Sequence, residues 1–179
     1  MIAEEGSATS PVQTIRERLH RSRAGLLAAV EKLRAELWQK RPAANRWSAA
    51  EVIAHLIMVE TAIQRGFGKM LAGEPQRVPF WRRLHIPPKL SEYRLLKAET
   101  PIPLDSSLVG EKDAMLEQFR ALRERTLALL EANCDRDLSR WRWPHPFFGS
   151  LNGWTWFRVI ASHEVRHTKQ IREIVKALG

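Results

Sequence analysis

Hydrophobic side chains recur every three, four or seven positions over most of this chain, the spacing of helices with one apolar stripe each. Val12, Ile15, Leu19, Leu26, Val30, Leu33 and Leu37 form the first stripe, and Ser10-Pro11 ahead of it pairs a cap candidate with a first-turn proline. This predicts a helix over about 11–39, behind a small, polar tail at 1–10. Arg16, Arg18, Arg21, Arg23, Lys32 and Arg34, interleaved with Glu17, Glu31 and Glu36, read as its solvated face. Ser48 and Glu51 are spaced as a capping box, and Val52, Leu56, Val59, Ile63, Phe67 and Met70 then predict a second helix over about 48–71. The short connector makes helices one and two antiparallel neighbours.

Six prolines between about 73 and 107 forbid one continuous helix there, although KLSEYRLLK has room for two turns. A connection this long lets helices two and three run parallel, or walls a site. Leu108, Met115, Phe119, Leu122, Leu129 and Leu130 predict a third helix over about 107–132. A second connector, Asn133–Asn152, holds Trp141, Trp143, Pro144, His145, Pro146 and Phe148, and a fourth helix runs from Asn152-Gly153 to the C-terminus. No strand-like alternation, internal repeat or low-complexity tract stands out. The expected fold is all-α, a four-helix bundle formed by one domain over 11–179.

Composition narrows the function classes. The 179 residues are 44% hydrophobic, enough for a core, and no run reaches the length of a membrane span. The N-terminus carries acids where a signal peptide carries bases, and one cysteine, Cys134, excludes a disulfide framework. A cytoplasmic protein is expected, without a membrane partner. Lys+Arg 29 against Asp+Glu 20 leaves a net charge of +9. These bases are spread over all helices and connectors rather than in one stripe, which disfavours nucleic acid as the partner.

The chemistry lies in the histidines. With roughly 100° per helical residue, His167 falls about 40° from His163 and one turn along, in the arc of Trp156, Ile160, Ile171, Ile174 and Leu178. Two imidazoles on an inward face must find partners, and the i, i+4 spacing presents two ring nitrogens to one ion. For a third ligand, His20 sits among arginines, His85 in the proline-rich connection and His145 between two prolines. His55, on the edge of the second stripe, is the best candidate. Glu60 lies within that apolar arc, as an orienting partner for an imidazole, an extra ligand, or the mate of an arginine on a neighbouring helix. His163-Glu164-Val165-Arg166-His167 also matches H-E-x-x-H, but no later histidine follows, Glu173 is the one downstream carboxylate and no sheet lines a cleft, which disfavours a protease.

RWSAAEVIAHLIMVE in the second helix, with HPFFGSLNGWTWFRVIASHEVRHTKQIREI at the end, resembles the DinB/YfiT-like superfamily over about 11–178. The resemblance implies an up-down-down-up bundle and a divalent metal, nickel or zinc, held by His55, His163 and His167, with Glu164 close by; Glu60 joins it as a candidate orienting partner from its place in the apolar arc. It also implies a homodimer and a small-molecule substrate, through thiol S-transferase chemistry with a low-molecular-weight thiol or through hydrolysis. Fold analogy does not choose the reaction. The rival expectation is a non-catalytic bundle stapled by its ion. Trp81, Arg82 and Arg83, with Arg140, Trp141, Arg142 and Trp143, either wall the pocket or close the ends of the bundle. Cys134 reads as a small apolar residue, so a reactive thiol would arrive with a cofactor.

Overall fold

The computed structural model describes residues 10–76 and 104–179, together with Pro87, Lys89 and Glu92. Four helices carry the fold: α1 (Pro11–Glu31), α2 (Ala49–Ala72), α3 (Lys112–Glu131) and α4 (Gly153–Leu178). The expected tail at 1–10 lies, save Ser10, outside the described residues. So do most of KLSEYRLLK, His85, Trp81, Arg82 and Arg83.

Local chemistry sets two of the helix starts. The capping box opens α2: Glu51 N–H donates to Ser48 Oγ (3.2 Å), and Ser48 N–H donates to the Glu51 carboxylate (2.8 Å). Asn152 opens α4, its Oδ1 accepting from Thr155 N–H (2.9 Å). Two helices are shorter than their stripes. α1 ends at Glu31, yet Leu33 and Leu37 remain buried because the following 3₁₀ turn, Ala35–Leu37, folds back onto the core. Trp38 anchors that turn by donating from Nε1 to Gly110 O (3.0 Å). α3 starts at Lys112 rather than 107, leaving Leu108 exposed in a separate turn.

A two-stranded antiparallel hairpin, β1 (Arg142–His145) and β2 (Gly149–Asn152), replaces the strand-free connector expected before α4. Its strands are four residues each, and Pro144 hides their alternation. Gly149 closes the turn at φ +76°, a conformation glycine adopts without strain.

α1 packs most closely along α4, and α2 along α3, so the consecutive helices α1 and α2 do not form a main interface. Two apolar clusters give the directions. One joins Leu26 and Val30 of α1 to Val52 and Ile53 of α2, Phe119 of α3 and Ile171 and Ile174 of α4. The other joins Ile15 and Leu19 to Ile63 and Phe67, Leu130, and Phe157 and Ile160. Chain order between the clusters runs one way in α1 and α4 and the other way in α2 and α3. The topology is up-down-down-up, as the long α2–α3 connection requires. Glu92, from that connection, accepts Arg18 of α1 on its carboxylate and Lys169 Nζ of α4 on its carbonyl (2.7 Å). Among the described residues no helix is long and apolar enough to cross a membrane.

Candidate metal centre

Between the two apolar clusters the bundle carries polar side chains, and they form two groups. The first is histidine. The capping box fixes where α2 begins, and about two turns later His55 points inward, 4% exposed. α4 brings His163 and His167 to the same place. His163 Nε2 lies 3.3 Å from His55 Nε2 and 3.1 Å from His167 Nε2, and one ring nitrogen from each histidine lies within 4.8 Å of the others. His20 and His145, the other described candidates, are not in this group.

Burial governs the electrostatics. Desolvation pushes the His55 imidazole down to about 4 and His163 down to about 3, with the neighbouring histidines and Arg166 adding to the effect on His163. His167 is held well below the ordinary histidine range for the same first reason. All three rings are therefore neutral near pH 7 and keep a lone pair. Nitrogens 3.1–3.3 Å apart match the spacing of two donors on one ion, each at about 2.0–2.1 Å. The donor set fits a divalent first-row metal.

Two further residues shape the centre. Trp47, just before the α2 cap, packs on His55 (centroids 5.1 Å apart) and lies nearly parallel to His167 (6.5 Å, 12°). Gln170 places its side-chain carbonyl 2.9 Å from His167 Nδ1. Neither emerged from the hydrophobic pattern. The signal for Gln170 is its position three residues after a ligand candidate, where helical side chains meet.

The second group is ionic and takes one residue from each helix: Arg23 of α1, Glu60 of α2, Arg123 of α3 and Glu164 of α4. Arg23 donates to Glu60 (2.8 Å) and Glu164, and Arg123 donates to Glu60 (3.1 Å) and Glu164 (3.0 Å). Thr126 Oγ1 donates to Glu60, Ser22 Oγ donates to Glu164, and Arg23 lies over the Phe119 ring. Arg23 therefore does not belong to a solvated face; it is 6% exposed, and Arg123 is 2% exposed. Of the roles open to Glu60, the structure places it with arginines, from two neighbouring helices. The Glu164 carboxylate likewise bonds side chains of α1 and α3, Ser22, Arg23 and Arg123, which takes from the H-E-x-x-H match the carboxylate a protease would use on its water.

A narrow, partly open cleft with room for about one water molecule lies beside His163. Leu56, Val59, Ile63 and Ile160 line it, with Glu60 and Glu164. The aromatic connector packs over α2 and α4. Trp143 stacks on Trp156 (4.0 Å, 13°) and approaches α2 so closely that a Cβ on Gly66 would meet it at 2.8 Å. His145 stacks on Phe148 (4.4 Å), and Arg142 turns to the hairpin's own Ser150 carbonyl.

Residues 18–171 match the family model described as the DinB superfamily. YuaE of Bacillus subtilis (strain 168), described as uncharacterised, is 28% identical over 142 residues, 78% of this chain and 83% of YuaE. Two solved structures share the fold. TT2238, described as a four-helix bundle protein, superposes with a TM-score of 0.55 at 22% identity, covering 90% of this chain and 98% of its own. YfiT from Bacillus subtilis, described as a probable metal-dependent hydrolase with an unusual four-helix bundle topology, gives 0.63 at 19% identity, covering 97% and 92%.

Proposed function

This chain belongs to the DinB superfamily, and from that premise we propose that it is a divalent-metal-dependent enzyme acting on a small molecule, with His55, His163 and His167 as the metal ligands. The observation that carries the reading is the meeting of three neutral imidazoles, from α2 and α4, at 3.1 and 3.3 Å. Nickel and zinc suit such a nitrogen donor set. A divalent ion held there supplies Lewis acidity toward a substrate or a nucleophile. The chain's own residues do the rest. Desolvation keeps the three rings neutral, Trp47 covers His55 and His167, and the aliphatic walls of the cleft beside His163 limit water there.

The description of YfiT makes hydrolysis the first reaction to assay, with S-transfer from a low-molecular-weight thiol the second. The test compares zinc- and nickel-loaded protein with His163→Ala on ester, amide and phosphate substrates, then in thiol-transfer assays. The expected result is a turnover that needs the ion and disappears in the variant. A bound ion with no turnover in any assay would favour the rival reading, a bundle stapled by its metal. One observation supports that rival: the Glu164 carboxylate beside the ligand His163 is already committed to Arg23 and Arg123.

A further inference from the structure

The three imidazoles are not held alike on their outer sides. Each turns Nε2 to the common centre, which leaves Nδ1 to find a partner elsewhere. His55 Nδ1 is buried and has no hydrogen-bond partner among the described residues. His167 Nδ1 meets Gln170 Oε1 at 2.9 Å. A carbonyl oxygen only accepts, so this contact places the ring proton on Nδ1 and leaves the lone pair on Nε2. Of the two neutral tautomers, that is the one with a lone pair at the centre.

We infer that Gln170 is a positioning residue for the metal centre, fixing the tautomer and the ring plane of His167 through its side-chain carbonyl. The inference rests on the metal-centre reading above. It follows from local geometry: His167 and Gln170 stand three residues apart on one face of α4, so a single rigid helix supplies both the ligand and its orienting group. Trp47 lies along the same imidazole, so the ring is held by a hydrogen bond and by aromatic contact. His55 has only the aromatic contact, from the same Trp47. The centre is therefore lopsided, with His167 set before an ion arrives and His55 free to choose its tautomer.

The experiment uses the full chain without a polyhistidine tag, stripped of metal and titrated with zinc against a chromophoric chelator. Gln170→Leu removes the acceptor, and Gln170→Asn keeps an amide but shortens it, so the second variant serves if the first fails to fold. Either is expected to weaken zinc binding ~10- to 100-fold, while Gln170→Glu, which restores an acceptor, returns affinity to within about threefold of wild type or tighter. The metal-free variants should keep the wild-type circular dichroism spectrum. Wild-type affinity in both Gln170→Leu and Gln170→Asn would overturn the inference. So would an equal loss in Gln170→Glu, because the loss would then come from packing. If wild type and His163→Ala take up zinc alike, the metal-centre reading itself falls, and that outcome is distinct from either of the others.

Discussion

Two buried polar groups share the middle of this bundle, and the difference between them separates scaffold from site. The Arg23–Glu60–Arg123–Glu164 group is closed: two cations face two anions, and hydroxyls from Ser22 and Thr126 take further carboxylate bonds. The histidine group is open. It has no charge near pH 7, its Nε2 atoms face one another, and His55 Nδ1 has no partner among the described residues. A closed group resists solvent and ligand; an open one offers its lone pairs to a cation. They are neighbours in sequence, with Glu60 about a turn and a half past His55 and Glu164 next to His163. The ionic group ties all four helices together at the height where α2 and α4 must bring three imidazoles within reach of one ion.

The largest expected effect breaks the closed group. Arg123→Met leaves two buried carboxylates with one arginine and should lower stability by about 3–5 kcal/mol in urea denaturation with a chelator present. A loss under about 1 kcal/mol would mean that the group is not closed. Next comes the open group. At zinc about a hundredfold above its dissociation constant, wild type should gain about 2.7 kcal/mol, and His163→Ala should gain nothing. The same substitution should change metal-free stability by no more than about 1 kcal/mol, in contrast to Arg123→Met.

Acid gives a third contrast. His55 titrates near 4 in the native, metal-free protein because of desolvation, and near 6.5 when unfolded. Below pH 6.5 the unfolded chain binds a proton that the native chain does not, so stability falls as pH falls and levels off below about 4. From pH 6.5 to 5 the His55 contribution is on the order of 2 kcal/mol, and His163 and His167 act in the same direction, so His55→Leu should make the slope measured by urea denaturation in chelator shallower without abolishing it. A wild-type stability that does not change over this range would contradict the burial argument. The smallest effect concerns neither group. Cys134 is half-buried and is not one of the clustered ligand residues, so Cys134→Ser should leave zinc affinity unchanged and shift stability by less than about 0.5 kcal/mol.

Much of this contrast is legible in the sequence, but unevenly. Helical spacing marks His163 and His167 as inward-facing, because five apolar residues share their arc. Glu60 is conspicuous for the same reason. Arg23 and Arg123 are missed because arginine is read as surface, although Arg23 fills a gap in its stripe. The step of seven from Leu19 to Leu26 has Arg23 at its middle turn, whereas in the third helix Thr126 takes that place between Leu122 and Leu129 and Arg123 stands one turn after Phe119, beside Leu122. A missing apolar turn filled by a long cation is the signal of a buried ion pair. Helix ends are harder: Leu33 and Leu37 keep the helical period after α1 has stopped, because a 3₁₀ turn presents them to the same core. The hairpin escapes notice because four-residue strands around Pro144 are too short for alternation to register.

The central claim is that the open histidine group takes one divalent ion while the closed ionic group holds the bundle. Its most direct test is metal content, by inductively coupled plasma mass spectrometry, of tag-free full-length protein and of His163→Ala after dialysis from zinc. The account predicts one ion per chain in wild type and none in the variant, both with the same helical circular dichroism spectrum. No bound ion in wild type, or an equal ion content in His163→Ala, would contradict it.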